Sequence, residues 1–376
     1  MDRIYHVAQF GAFDVESMGD ALFPDALSFG VRNFCKCEFD LFSVNACSEL
    51  YNHNRNIYAI SQFPTKNEIQ NYDAIVLGGG EFLNFHEISF GSVKYPPGYL
   101  WQEPIRMAKE RNIKVFINCV GVSNDFTEQE CRQVQAYMQD LEYISVRDIF
   151  SKVRLRSAGI QGAVCVADNL WYMNQMYPKA QQSSVRRELE TRFRLDLTTP
   201  YIVVQYGTTK DVQALAQQLR SIKAKTGFRI CLMAINYCHE DRMGMQMLAD
   251  AGSGEFEVLD TYLQPPEMIA VISGASAFFG TSLHGNLTAA SYDVPFVGLD
   301  MYPNFVSKMD GIFSMIGCEA YLVPHESGLE AAYYARIKDL NVSMRIPEII
   351  QDIQRKLDIH FKFMTDILKG DGSVDA

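Results

Sequence analysis

Several apolar runs of the sequence end in glycine, small polar and ionisable residues, and these ends carry the side chains that could do chemistry. The sharpest is the run Phe278-Phe279-Gly280-Thr281-Ser282-Leu283-His284-Gly285-Asn286. Its apolar start predicts a buried strand, and its small polar residues predict the start of a helix. A histidine there can donate a proton or contact a phosphate, because the first N–H groups of a helix attract anions. Although most isolated histidines are structural, we interpret His284 as catalytic and Ser282, Gly285 and Asn286 as substrate-binding.

An acidic segment follows the first predicted strand and opens the first predicted helix. It runs from Gly11 to Leu22 and contains Asp14, Glu16 and Asp20. Like charges so close together repel each other unless a substrate or a cation uses them. Asp20 is therefore either the N-cap of the helix or, together with Asp14, part of a substrate site. The segment lacks the GxGxxG pattern, which disfavours a dinucleotide site.

Three glycines, Gly78-Gly79-Gly80, come directly after the apolar run Ile75–Leu77. Glycine lets the backbone adopt a positive φ and approach a ligand closely. One or two glycines would suffice for a tight turn, so three in a row favour a substrate-binding turn. The segment Asn118–Asn124 is similarly small and polar after a strand, and it is predicted to line the same site.

Arg147 ends the predicted strand Tyr143–Val146. The planar guanidinium fork suits a phosphate or a carboxylate of a substrate. The alternative is an ion pair inside the protein with Asp148 or Asp168. The sequence leaves both interpretations open.

The elements that must position these residues alternate between short apolar strands and helices, which is typical of parallel sheets covered by helices. The predicted strands of the first half are Ile4–Phe10, Glu38–Val44, Ala74–Leu77, Val115–Val120, Tyr143–Val146 and Ala163–Val166. Those of the second half are Tyr201–Tyr206, Arg229–Ile235, Glu257–Leu259, Ala277–Phe279 and Phe296–Leu299. The predicted helices include Gly19–Phe34, Pro104–Arg111, Glu128–Leu141, Asp211–Thr226 and Pro266–Gly274.

This order predicts an α/β fold with two doubly wound, Rossmann-like domains that face a cleft. The expected domains are residues 1–180 and 195–343, and the polar segment Pro178–Arg194 is interpreted as the link. A long amphipathic helix, Pro347–Leu368 within residues 344–369, is expected to pack back onto the N-terminal domain, because its apolar stripe needs a surface to cover. Ligands of such sheets bind beyond the carboxyl ends of the strands.

Composition excludes several classes of protein. The chain has 376 residues, of which 48% are hydrophobic and 21% charged, so it can bury large cores and is not disordered. The formal net charge of -11 and the absence of a long basic run argue against nucleic acid as the main partner. The longest uncharged stretch, Met268–Tyr292, contains many serine, threonine and glycine residues, and it is interpreted as buried elements rather than a membrane segment. Without a signal-peptide pattern, we expect a cytoplasmic protein.

The nine cysteines form no Cys-x-x-Cys pair, which favours reduced thiols over a disulfide framework or a zinc module. No metal site and no cofactor are predicted, and no serine-hydrolase, Walker or HExxH motif occurs.

Taken in order, these segments resemble the polysaccharide pyruvyl transferase family. The matching elements are Gly11…Gly19-Asp20, Gly78-Gly79-Gly80, Ser145-Val146-Arg147-Asp148 with Ser151, Leu155 and Gly159, then Ala167-Asp168 and Leu283-His284. The resemblance spans about residues 4 to 312 and implies a two-domain fold like that of GT-B glycosyltransferases. It also implies transfer of the enolpyruvyl unit of phosphoenolpyruvate to hydroxyls of a sugar or lipid-linked glycan, forming a pyruvate ketal.

By position, the resemblance implies that His284 is the acid or phosphate contact and that Arg147 is an anion clamp. Asp20, Asp14 or Asp168 would act on the acceptor. The sequence departs from the family at three places: Ser282 replaces an arginine, Asn304 replaces a lysine, and Ser17 replaces an asparagine. Lys308, one helical turn after Asn304, is then expected to bind the donor. Two alternatives stay open, namely a nucleotide-sugar glycosyltransferase of the same fold and a non-catalytic glycan-binding member; a homo-oligomer also stays open.

Overall fold

A computed structural model describes residues 3–47, 56–90 and 93–370. The chain divides into two compact units. Unit 1 contains residues 1–15, 19–169 and 353–376, and unit 2 contains residues 16–18 and 170–352.

Unit 1 is built on a parallel sheet of seven strands. They are β1 (Ile4–Phe10), β2 (Lys36–Ser43), β3 (Ile57–Ala59), β4 (Ala74–Gly78), β7 (Lys114–Val120), β8 (Tyr143–Val146) and β9 (Val164–Cys165). Their order in the sheet is β3-β2-β1-β4-β7-β8-β9. A separate antiparallel pair is formed by β5 (Ile88–Phe90) and β6 (Val93–Tyr95).

Unit 2 contains a parallel sheet of six strands. They are β10 (Tyr201–Gln205), β11 (Arg229–Leu232), β12 (Glu257–Val258), β13 (Ala277–Gly280), β14 (Phe296–Asp300) and β15 (Leu322–Pro324), in the order β12-β11-β10-β13-β14-β15. In each sheet the chain moves outward from a central strand and then restarts on its other side. The resulting switch points, between β1 and β4 and between β10 and β13, are where doubly wound sheets bind ligands.

Helices connect the strands of both sheets. Those that follow the strands of unit 1 are α1 (Met18–Val31), α2 (Phe63–Gln70), α3 (Tyr99–Glu110), α4 (Glu128–Met138) and α5 (Ile149–Ser157). Those of unit 2 are α6 (Met173–Met176), α7 (Lys179–Phe193), α8 (Val212–Thr226), α9 (Asp241–Ala251), α10 (Pro265–Ser273), α11 (Leu283–Ser291), α12 (Lys308–Met315) and α13 (Leu329–Lys338). The last helix is α14 (Leu340–Lys369), and short 3-10 turns occur at Ile60–Gln62, Asn169–Tyr172 and Glu319–Tyr321.

Local sequence signals explain where the helices begin. The Thr127 side chain and Glu130 form a reciprocal capping box at the start of α4. Asp148 caps α5, since its carboxylate accepts a hydrogen bond from the Ser151 N–H at 2.7 Å. Both caps satisfy N–H groups that the first turn of a helix leaves without partners.

The end of α14 belongs to unit 1 and packs on its sheet through buried side chains. His360 Nε2 donates to Asn118 Oδ1 at 2.8 Å, and His360 Nδ1 accepts from the Tyr143 hydroxyl at 3.0 Å. The Phe361 ring lies where a Cβ on Gly30 would be, so the residue at position 30 of α1 must be glycine. Burial lowers the pKa of His360 to about 3, so the ring stays neutral in the folded protein.

The structure confirms the predicted α/β class and nearly all predicted strands, but it differs in one helix and four short strands. The segment Pro178–Arg194 is not a link, because α7 forms there and packs on α10 within unit 2. Strands β3 and β15 and the β5–β6 pair were not predicted, since each strand has only three residues. Among the described residues, no helix has both the length and the apolar character that a membrane span requires.

Candidate functional site

The first group of candidate residues lies at the carboxyl edge of the unit 1 sheet, on the segments that follow β1, β4, β8 and β9. Asp14 lies after β1, and its carboxylate accepts hydrogen bonds from the Asn45 N–H at 2.9 Å and from Asn45 Nδ2 at 3.0 Å. The Ser43 hydroxyl donates to its other oxygen. Asp14 therefore ties the segment after β1 to the end of β2, and much of its hydrogen-bonding capacity is used within unit 1.

Steric contacts within unit 1 explain two of the three glycines in the turn after β4. A Cβ on Gly78 would lie 2.2 Å from the carbonyl oxygen of Asn118, and one on Gly79 would lie 2.3 Å from the Phe23 ring. Gly79 also has a φ of +99°, which residues with a side chain rarely adopt. These two glycines are thus required by packing against β7 and α1, whether or not a ligand binds.

Gly80 faces a different neighbour. A Cβ placed on it would lie 3.1 Å from Asp20 Oδ1, so the partly exposed Asp20 carboxylate lies beside the end of the turn. Asp20 lies in α1, which follows β1, and Gly80 lies just after β4, so both are on segments that follow the two strands at the switch point of unit 1. The N-cap interpretation of Asp20 is wrong, because α1 begins at Met18 and contains Asp20 in its first turn. The role of Asp20 in a substrate site stays a prediction.

Arg147 is enclosed by carboxylates, and we call the four residues Arg147, Glu81, Asp148 and Asp168 the Arg147 cluster. Its nitrogens lie 3.4 Å from Asp168 Oδ2, 3.6 Å from Asp148 Oδ2 and 3.8 Å from Glu81 Oε1. Arg147 is 2% exposed and Asp168 is fully buried. Burial alone would lower the pKa of Arg147, but the carboxylates of Asp168, Glu81 and Asp148 outweigh it and raise that pKa.

The sequence left two interpretations of Arg147 open. The structure shows Arg147 in ion pairs within the protein. Contact between the Arg147 guanidinium and a substrate anion stays a prediction, and in this structure the guanidinium is surrounded by carboxylates of the protein. Asp168 is fully buried in this structure, and its role toward an acceptor sugar stays a prediction.

The second group of candidates lies at the carboxyl edge of the unit 2 sheet. His284 is in the first turn of α11 and is partly buried. Ser282 is the N-cap of that helix, and its hydroxyl accepts from the Gly285 N–H at 3.2 Å. A Cβ on Gly285 would lie 2.4 Å from the Phe278 ring. Ser282 and Gly285 thus set the start of the helix that presents His284.

The side chain of Asn286 stabilises the start of α11. Its side-chain amide donates to the carbonyl oxygens of Gly280 at 2.9 Å and Ser282 at 2.8 Å, and it is almost fully buried. Asn286 therefore joins the end of β13 to α11, so the two N–H groups of its side-chain amide are committed to the protein. Lys308, in contrast, is exposed in the first turn of α12.

A buried network at the same edge was missed by the sequence analysis, and we call it the Gln205 network. Gln205 Nε2 donates to Asp241 Oδ2 at 3.0 Å, while Gln205 Oε1 accepts from the Ser282 N–H at 2.7 Å and from the Thr281 hydroxyl at 3.2 Å. Thr281 Oγ1 in turn accepts from the Gly207 N–H at 3.1 Å. The network thus connects the ends of β10 and β13 across the switch point.

Asp241 is the charged member of that network and is 2% exposed. Its Oδ2 also accepts from the N–H groups of Ile235 and Asn236 at 3.0 and 2.9 Å. Burial raises the pKa of Asp241, and these hydrogen bonds only partly oppose the shift. A signal was present in the sequence, since polar Gln205 ends an otherwise apolar run, but nothing there linked it to Asp241.

The family follows from a comparison with known sequences. The sequence model described as polysaccharide pyruvyl transferase matches residues 18–301. The chain belongs to the polysaccharide pyruvyl transferase family. Membership implies a transferase that acts with a donor and a glycan acceptor. A comparison with curated proteins found no match.

Solved structures show that the fold of this pyruvyl transferase family member is GT-B-like. The UDP-GlcNAc 2-epimerase from Neisseria meningitidis, bound to UDP-GlcNAc, has a TM-score of 0.62 at 10% identity and covers 94% of this chain and 99% of its own. The UDP-GlcNAc 2-epimerase from Methanocaldococcus jannaschii gives 0.60 at 10% identity, with 94% and 100% covered. Sucrose-phosphate synthase from Thermosynechococcus elongatus gives 0.61 at 10% identity, with 98% and 100% covered.

Within residues 3–47, 56–90 and 93–370, no group of three or more histidine, cysteine, aspartate or glutamate residues is arranged to hold a metal ion. The acidic residues of the unit 1 edge instead bind hydrogen-bond donors of the protein, as Asp14 and Asp168 do.

Proposed function

We propose that this protein transfers the enolpyruvyl unit of phosphoenolpyruvate to hydroxyls of a sugar, in a polysaccharide or its precursor, and forms a pyruvate ketal. The match of the family model to residues 18–301 carries the proposal. The placement of His284 at a helix start beside the switch point of unit 2 supports it, since anions bind at such places.

The chemistry defines which groups the reaction needs. The methylene carbon of phosphoenolpyruvate takes up a proton and becomes a methyl group, while the positive charge that develops at C2 is attacked by one acceptor hydroxyl. Phosphate then leaves, and a second hydroxyl attacks C2 to close the ketal. Each of the two acceptor hydroxyls loses one proton. One of these protons makes up for the proton that the methylene carbon takes up, and the other leaves with phosphate.

We assign the acid to His284, because an imidazolium can donate the proton and also contact the phosphate. Asp20 is assigned the role of base toward the acceptor, because it is partly exposed and lies beside Gly80. Asp168 and Arg147 are assigned a supporting role in the scaffold. The Gln205 network is proposed to hold the backbone of Ser282 so that α11 keeps its start in place.

The donor carries carboxylate and phosphate charges, so its site needs cations. Ser282 stands where many family members have an arginine, and here its hydroxyl serves as the helix cap. We assign the cationic role to Lys308 together with Lys210 and Arg242. Lys210 is exposed on the segment after β10, and Arg242 is exposed at the start of α9. Each charge-assisted contact would contribute about 1.5–3 kcal/mol to donor binding.

Ligand-induced stabilisation tests the donor first. A ligand at a hundred times its dissociation constant should stabilise the protein by about 2.7 kcal/mol. We expect a thermal shift with phosphoenolpyruvate and none with UDP, GDP or CMP. A shift with one nucleotide and none with phosphoenolpyruvate would overturn the proposal in favour of a glycosyltransferase, and no shift with any of them would favour a non-catalytic glycan-binding member.

Turnover tests the residue assignment. The assay would follow phosphate release from phosphoenolpyruvate with a panel of p-nitrophenyl hexosides, and mass spectrometry would detect the ketal. His284→Asn should fold and lose about 10²–10⁴ in kcat. His6→Asn is the matched control, because His6 is a partly exposed histidine in the first half of β1. Full turnover by His284→Asn would contradict the assignment.

A further inference from the structure

Two cysteines outside the candidate site lie in contact with each other. Cys35 Sγ and Cys37 Sγ are 3.1 Å apart. Cys35 precedes β2, in a turn where its N–H donates to the Val31 carbonyl oxygen at 3.1 Å. It therefore lies just outside the strand, which begins at Lys36. Both thiols are reduced in this structure.

We propose that Cys35 and Cys37 form a reversible dithiol–disulfide site that reacts with low-molecular-weight disulfides such as oxidised glutathione. A disulfide needs the sulfurs at about 2.05 Å, so the pair has to close by about 1 Å from its present separation. Both side chains are partly exposed, which gives a small disulfide access to the pair.

The surroundings assign different roles to the two thiols. The hydrogen bond from Cys37 lowers the pKa of Cys35; burial opposes this, and the Lys369 ammonium adds to the lowering. The same hydrogen bond and burial raise the pKa of Cys37. Cys37 also lines a small apolar cavity with Val7, Met364 and Leu368 of unit 1. Cys35 is thus the attacking thiolate and Cys37 the resolving thiol.

The exchange proceeds in two balanced steps. The Cys35 thiolate attacks one sulfur of oxidised glutathione, so that a mixed disulfide forms and one glutathione thiolate leaves. The Cys37 thiol then loses its proton and attacks Cys35 Sγ, which forms the Cys35–Cys37 bond and releases the second glutathione. One disulfide is consumed, one is formed, and two glutathione thiols are the products.

Trypsin makes the product directly visible, because it cleaves after Lys36, between the two cysteines. The full-length protein would be incubated with oxidised glutathione, alkylated, digested and analysed by mass spectrometry. We expect the peptide of residues 33–36 linked to the peptide of residues 37–55, and we expect dithiothreitol to separate them. Because Cys47 lies in the second peptide, Cys47→Ser is the matched control and should keep the link.

The variants separate the two steps. Cys37→Ser should accumulate glutathione on Cys35, since the resolving thiol is gone. Cys35→Ser should lower the rate of glutathione addition in this segment by at least about tenfold, because Cys37 is the poorer nucleophile. The exposed thiol of Cys238 is an internal reference, and its modification shows that oxidant was present. Modification of Cys238 without the linked peptides, or a link that disappears in Cys47→Ser, would overturn the proposal.

Discussion

Replacing Arg147 by methionine tests whether the Arg147 cluster holds unit 1 together. Methionine keeps the apolar stem and removes the charge, so the fully buried Asp168 carboxylate loses a guanidinium 3.4 Å away. Removing one partner of a buried ion pair typically costs about 3–5 kcal/mol. The pair with Glu81 adds little, because that side chain is 30% exposed and its partner distance is 3.8 Å. We therefore expect Arg147→Met to lower the free energy of unfolding of unit 1 by about 3–5 kcal/mol.

The assay can observe unit 1 alone, because the chain has two tryptophans. Trp101 belongs to unit 1 and Trp171 to unit 2. In a Trp171→Phe background, urea unfolding followed by fluorescence reports on the surroundings of Trp101. Arg147→Met combined with Asp168→Asn should recover about 1–3 kcal/mol relative to Arg147→Met, since the second change removes the buried carboxylate charge that Arg147 balances.

Two results would refute this reasoning. A loss below about 1 kcal/mol in Arg147→Met would mean that the ion pairs contribute little, as exposed ones do. A double variant no more stable than the single one would mean that the charge of Asp168 is not what destabilises Arg147→Met. In either case Arg147 would again be a candidate for donor binding.

Three further perturbations test other features of the two units. Gly79→Ala places a Cβ 2.3 Å from the Phe23 ring and should cost about 2–4 kcal/mol in unit 1, whereas Gly162→Ala meets open space and should be near neutral in the same urea titration. Asp241→Asn keeps a side-chain oxygen that can accept from the three N–H donors, and it removes a buried charge. The free energy of unfolding, measured by urea unfolding at neutral pH, should therefore change by less than about 1 kcal/mol. The pKa of His360 is about 3 in the folded protein and about 6.5 in the unfolded chain. As the pH falls below about 6.5, the unfolded chain therefore takes up a proton on His360 and the folded protein does not. The stability of unit 1 should therefore decrease below that pH by up to about 1.4 kcal/mol per pH unit, and His360→Gln should reduce the slope in urea titrations; an equal slope would contradict this.

The sequence predicted the sheets well because their strands are continuous apolar runs. Tyr143–Val146 and Ile4–Phe10 were predicted with the bounds that the structure has. The three-residue strand Leu322–Pro324 was missed, since so short a run shows no periodicity. Family and fold were predicted because motif order and strand–helix alternation are properties of the sequence itself.

Side-chain partners were predicted less well, because they depend on residues brought together by the fold. Arg147 could be placed at a strand end, but its ion pairs could not, because they include Asp168, which is 21 positions later, and Glu81, which is 66 positions earlier. Asp14 was read as a substrate-binding residue, and its contacts with Ser43 and Asn45 arise only when β1 and β2 pair. Asp241 carried no recognisable motif and gains its role from Gln205.

The discontinuity of unit 1 bears on the order in which the chain folds during synthesis. The buried contacts of His360 and Phe361 complete a sheet whose last strand, β9, ends at residue 165. About 200 residues separate the end of the first part of unit 1 from the end of α14, which at 5–20 residues per second corresponds to roughly 10–40 s of translation. Residues 170–352 can fold during that interval, while the sheet of unit 1 has an apolar face still waiting for its covering helix. The nascent chain therefore exposes the surface formed by Gly30, Asn118 and Tyr143 to chaperones until the final helix leaves the ribosome.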